Sequence, residues 1–232
     1  MYNAAFLKGL MRAILERGIE TSPDGIDHKH HEGDPDAPRC PIKLNLCTAD
    51  LRPKARMTKD DMLVLVQGLY GYIEHRRLQV PAIGGVPNVG ERLALMLQEY
   101  ARTEYGRYIP YVGATKIVHP DGRREIGPVI PSAEYPSGDL WLIDDLMNWG
   151  KSKREACARY KEAGYRIIEL LVVADYGICT SQVTLELGFG VHSLVSVESI
   201  LFLGADEQKL TAKIIAGTRA YMAASRARNC AA

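Results

Sequence analysis

Three things are missing from this 232-residue sequence: a C-x-x-C pair, a glycine-rich nucleotide signature and an apolar run long enough to cross a bilayer. Each absence excludes a class. The five cysteines, Cys40, Cys47, Cys157, Cys179 and Cys230, are odd in number and scattered, without zinc-knuckle or redox spacing. They read as reduced thiols in a cytoplasmic protein. No stretch approaches the ~20 apolar residues of a spanning helix, so no membrane partner is expected. The first eighteen residues spread Lys8, Arg12, Glu16 and Arg17 through a helical pattern, unlike a secretory signal with its charge ahead of an unbroken apolar core. Charge excess is also missing: 29 Lys+Arg face 28 Asp+Glu, for a net +1. That excludes a general nucleic-acid binder, but it leaves room for a local anion site built from backbone amides. Neither G-x-x-x-x-G-K-[ST] nor G-x-G-x-x-G occurs.

What is present is ordinary globular composition, 47% apolar and 25% charged, in a chain long enough to bury a core unaided. No repeat or linker divides it, so residues 1–232 read as one domain. Phe6, Leu7, Leu10, Ile14 and Leu15 recur at helical spacing, and Gly18 ends that helix. Residues 21–39, rich in Asp, His, Gly and Pro, read as a surface loop or insertion. His28, His30 and His31 stand there among acids, and such density can bind a transition metal or can simply be solvated. Ile42, Leu44 and Leu46 alternate with polar residues as in a strand. Thr58 and Asp61 have capping-box spacing at the head of a second helix striped by Met62, Leu65, Val66, Leu69 and Ile73.

From residue 79 onward, apolar runs alternate with helical patterns. Val80–Ile83, Leu140–Ile143, Ile167–Ala174 and Val191–Val195 read as strands, which predicts an α/β fold with a parallel sheet flanked by helices. Ligands in such folds sit at the carboxyl ends of strands. One of those ends stands out. In LWLIDDLMNWGKS, residues 140–152, an apolar strand runs into Asp144 and Asp145, followed by Asn148, Trp149, Gly150, Lys151 and Ser152 at a helix start. Ser152 and Glu155 share capping-box spacing. A helix N-terminus offers unpaired amides and partial positive charge to a phosphate, while paired carboxylates suit the two neighbouring hydroxyls of a ribose. An acid pair alone also ends a strand in water. The whole strand–acid–acid–glycine–helix array points instead to a ribose-phosphate site.

That stretch resembles the ribose-phosphate signature of type I phosphoribosyltransferases, with Asp144, Asp145, Gly150 and Ser152 matching. Asn148 and Trp149 stand where Thr or Ala is usual, and Lys151 where Gly or Thr is common. VPAIGGVPNVG, residues 80–90, is similar to the pyrophosphate loop of orotate phosphoribosyltransferases, with Gly84 and Gly85 as the cradle. PIKLNL, YKEAGY, VVADYG and GVHSLVSVESIL also resemble segments of that family in the same order. The resemblance implies an N-terminal hood over residues 1–60 and a core over 61–232. It also implies a homodimer with shared active sites and a long mobile loop at 113–138.

Lys116 and His119 of that loop would join Asp144 and Asp145 as the catalytic set. Gly113 and Ala114 stand where the family has an Arg-Lys pair, and Arg123 and Arg124 follow farther along. The implied substrates are phosphoribosyl pyrophosphate, carrying Mg2+ on its own oxygens, and a small aromatic base such as orotate. No protein metal ligand is expected. Tyr176 stands where the family usually has an Arg that helps hold orotate, which leaves the acceptor open. The alternative reading is a degenerate relative that binds a ribose phosphate or nucleotide as a regulator.

Overall fold

The computed structural model describes residues 3–26, 38–121 and 124–230. Helix α1 (Ala4–Ala13) starts at Asn3, whose Oδ1 accepts from the Phe6 N–H at 2.9 Å, and its end widens into a π-turn over Ile14–Gly18. Gly18 stops it where a Cβ would lie 2.9 Å from Leu46 Cδ2. The chain then enters β1 (Ile19–Ile26), which pairs antiparallel with β2 (Cys40–Leu44) to form a small separate sheet.

This corrects the surface-loop reading at its start. Thr21 pairs with Ile42 and Ile26 with Cys40 across a register shift, so residues 21–26 are strand. Backbone pairing, not side-chain burial, makes this strand, and its Asp, Pro and Gly conceal it from a pattern search. His28, His30 and His31 lie outside the described residues, as does Arg123.

Helix α2 (Lys59–His75) begins with the expected reciprocal cap. Asp61 Oδ2 accepts from the Thr58 N–H at 2.7 Å, and Thr58 Oγ1 accepts from the Asp61 N–H at 3.2 Å. The main sheet then builds from β3 (Ile83–Gly85), β4 (Tyr111–Val118), β5 (Arg124–Ile130), β6 (Gly138–Met147), β7 (Tyr165–Asp175) and β8 (Gly190–Ser196). Its order is β5-β4-β3-β6-β7-β8, parallel throughout except for β5, which runs antiparallel to β4. Helices α3 (Val89–Tyr105), α4 (Lys151–Glu162) and α5 (Thr180–Leu187) link strands, and α6 (Val197–Asp206) and α7 (Ala212–Cys230) follow β8. Leu140–Ile143 on β6 and Leu170–Ala174 on β7 are buried, the mark of central strands covered on both faces.

Two further segments add to the sequence reading. Within residues 113–138, expected as a long mobile loop, β4 and β5 make an antiparallel hairpin, with Gly113 opposite Ile130 and Val118 opposite Arg124. The apolar and β-branched residues between its glycines and prolines supply the ladder. The hairpin leans on α4, where Glu155 Oε1 accepts from the Ile126 N–H at 2.6 Å and Arg159 Nε donates to the Ile126 carbonyl at 3.0 Å. Glu155 is therefore not part of a capping box with Ser152. Gly150 is the N-cap of α4, and Ser152 sits inside its first turn. Among the described residues no helix is long and apolar enough to cross a membrane.

Candidate functional site: an acid pair at a strand end

Strand β6 carries its apolar residues through the middle of the sheet and delivers Asp144 and Asp145 to the carboxyl edge. Both acids are buried, at 4% and 6% exposure, so their partners decide their chemistry. Asp144 is compensated twice. Its Oδ2 forms an ion pair with Lys153 Nζ, and its Oδ1 accepts from the Asp145 N–H at 2.8 Å. Burial pushes the Asp144 carboxyl above the usual carboxylate range; the Lys153 ammonium opposes that shift, and the neighbouring Asp145 adds to it. Asp145 is different. Its Oδ2 has no hydrogen-bond partner among the described residues, and the guanidinium of Arg52 stands 3.9 Å away, beyond hydrogen-bond reach.

Neither Lys153 nor Arg52 was picked out from the sequence. Lys153 did leave a signal, because it falls on the buried face of α4 with Ala156, Cys157 and Tyr160, the i, i+3, i+4, i+7 stripe. A lysine on such a stripe needs a buried anion. Arg52 leaves no comparable pattern in its loop.

The loop after the acids is held from three directions. Cys179 Sγ donates to the Asn148 carbonyl at 2.8 Å, and Arg154 Nη1 donates to the Trp149 carbonyl at 3.0 Å. Trp149 Nε1 donates to Tyr221 Oη on α7 at 3.0 Å, and that hydroxyl donates to Asn148 Oδ1 at 3.4 Å. The indole is therefore bonded to α7. Gly150 turns the chain at φ 75°, where a Cβ would meet Arg154 Nη1 and Val183 Cγ2 at 2.8 Å. Its carbonyl accepts from the Lys153 and Arg154 amides, which leaves the amides of Lys151 and Ser152 at the open end of α4.

Around this loop the sheet edge is closely built. Val86 N donates to the Ile143 carbonyl at 3.0 Å, and a Cβ on Gly90 would come 2.9 Å from Asp144 Oδ1, so the start of α3 presses on the acid. Gly90, too, was not singled out. Gly84 and Gly85 lie within β3, where a Cβ would meet the Tyr160 hydroxyl at 2.7 Å and Glu91 Cα at 2.3 Å respectively. Tyr176 is buried below the loop, its amide donating to the Met147 carbonyl at 2.9 Å and its ring edge-on to Tyr221. Lys116 lies on β4 opposite Ile126, and His119 Nε2 faces Glu125 Oε1 at 3.3 Å at the hairpin tip. Among the described residues no group of three or more His, Cys, Asp or Glu side chains could hold a metal.

The site thus joins a buried acid pair, an open helix start and flanking parallel strands. No family model matches the chain. An orotate phosphoribosyltransferase from Acinetobacter baumannii is 29% identical over 172 residues, covering 59% of this chain and 78% of that protein. The UMP synthase of Leishmania donovani superposes with a TM-score of 0.70 at 18% identity, covering 96% of this chain but only 43% of its own. The orotate phosphoribosyltransferase of Francisella tularensis gives 0.63 at 15% identity, covering 92% and 96%. The fold is that of the type I phosphoribosyltransferases. In sequence the chain is similar to the orotate phosphoribosyltransferase of Acinetobacter baumannii over that 172-residue stretch.

Proposed function

We propose that this chain transfers a 5-phosphoribosyl group from phosphoribosyl pyrophosphate to orotate or a related heteroaromatic base. The observation that carries this reading is the bare Asp145 Oδ2, buried at the end of β6 directly ahead of the open start of α4. A buried carboxylate oxygen without a partner is costly unless a ligand completes it, and a sugar diol supplies two donors. In the reaction the bond from ribose C1 to the pyrophosphate oxygen breaks, a bond from C1 to a ring nitrogen forms, and the base gives up one proton.

Positive charge grows on the sugar ring as negative charge grows on the leaving group. Asp144 and Asp145 face the first; the amides at Lys151 and Ser152, with Asn148 and Gly150, hold the 5′-phosphate. Lys116 and His119 are the hairpin residues that engage the pyrophosphate, delivered from the second subunit of a homodimer. Mg2+ would be held chiefly by the hard oxygens of the substrate itself, which suit its preference for few protein ligands. When bound it would neutralise the pyrophosphate as that group departs.

Pyrophosphate release, assayed with phosphoribosyl pyrophosphate, magnesium and a panel of bases, tests the reading. We expect release with at least one base, and an Asp145→Asn variant slowed by about 100-fold or more. Binding of phosphoribosyl pyrophosphate without release on any base would replace catalysis with a regulatory ligand site, the reading that the Trp149–Tyr221 tie to α7 favours.

A further inference from the structure

Resting on that reading, we propose that Arg52 is the specificity-determining residue of this site, the cation that takes an acidic substituent on the acceptor base. Arg52 belongs to the segment between β2 and α2 and hangs over the acid pair. Its Nη1 donates to Asn45 Oδ1 at 3.2 Å, and its Nη2 stops 3.9 Å short of Asp145. Asn45 is buried and its own amide donates to Glu20 Oε1, so the guanidinium is aimed by a fixed partner. Two other cations nearby are turned to acids of their own. Lys153 is buried on Asp144, and Arg92 is bound to Asp50 at 2.8 Å. The Arg52 side chain is 37% exposed and has donors to give over the acid pair, Nε and the remainder of Nη2. Across the site, Tyr176 is buried and carries no charge.

The chemistry of the ligand follows from the charge. One guanidinium balances one negative charge and presents two parallel N–H groups, which is the geometry of a carboxylate. A diphosphate carries about three negative charges and needs a metal or several cations beside it. When the sugar diol takes Asp145, Arg52 loses the attraction of that acid and is released toward a carboxylate on the incoming ring. The acceptor class is therefore a planar nitrogen heterocycle with an acidic substituent, of which orotate is one and uracil the neutral counterpart.

Calorimetry on the full chain, with orotate, uracil and phosphoribosyl pyrophosphate as separate ligands, would be run on wild type, Arg52→Gln and Arg52→Lys. Pyrophosphate release would be measured alongside. We expect Arg52→Gln to weaken orotate by about 30-fold, with Arg52→Lys recovering part of the loss and the orotate-to-uracil preference collapsing. Equal weakening of orotate and uracil, a loss confined to phosphoribosyl pyrophosphate, or a wild type that binds no acidic base would overturn the proposal while leaving phosphoribosyl transfer intact. Arg52-dependent orotate binding without pyrophosphate release would uphold Arg52 and remove the transferase reading.

Discussion

Two strand-to-helix crossovers stand side by side at the carboxyl edge of the sheet, and they solve the same turn in different ways. In β3–α3 the glycines are inside the strand, pinned by Tyr160 and by the backbone of Glu91. The unusual backbone falls on a non-glycine, Asn88, at φ 88° and ψ −97°. In β6–α4 the positive φ falls on Gly150, and the crossover is filled with charge: Asp144, Asp145 and Lys153. One junction is closed by sterics and the other by ion pairing. A glycine pair in a turn-rich run thus marks close packing here, while the single Gly150 marks the open helix start.

The comparison can be broken from either side. The largest effect belongs to Lys153→Met, which strands Asp144 in the interior and should cost about 4 kcal/mol at pH 8 in urea unfolding. Its pH dependence has a definite sign. With the ammonium gone, the folded carboxyl of Asp144 rises further above its unfolded value. A group raised in this way contributes stability at low pH and loses it as pH climbs through the folded value. The deficit should therefore shrink toward pH 5, and one that stays flat from pH 5 to 8 would refute the ion-pair account.

Gly85→Ala tests the other junction. Its Cβ would stand 2.3 Å from Glu91 Cα, a clash only backbone movement can relieve, so a loss of about 3 kcal/mol with little pH dependence is expected. A fully stable variant would show that β3 and α3 are less tightly joined than drawn. Asn88→Gly should move the opposite way, a gain of about 1 kcal/mol by thermal unfolding as positive-φ strain is released. Destabilisation there would mean that the Asn88 side chain holds the turn.

Much of this architecture was legible because it rests on local pattern. The apolar runs of β6, β7 and β8, the Thr58–Asp61 cap and the stop at Gly18 all announce themselves within a few residues. The acid pair was legible for the same reason. Its partners were not. Lys153 sits only nine positions past Asp144, yet its role depends on α4 folding back to bring its ammonium home. Arg52 comes within 3.9 Å of Asp145 from 93 positions away in the chain (145 − 52), a separation no spacing rule spans. Ser152 and Glu155 misled because capping-box spacing was satisfied while Glu155 had a better partner in the Ile126 amide. β1 was hidden because pairing with β2, rather than burial, creates it.

The hydrogen bond between Trp149 and Tyr221 joins residues 72 positions apart. During synthesis the acids, Gly150 and α4 all emerge well before the tyrosine that fastens their loop. Chains are made at about 5–20 residues per second, so for several seconds the ribosome-bound protein holds its most charged crossover without that tie. A partner that recognises the loop in that interval meets a surface the finished molecule has bonded to α7.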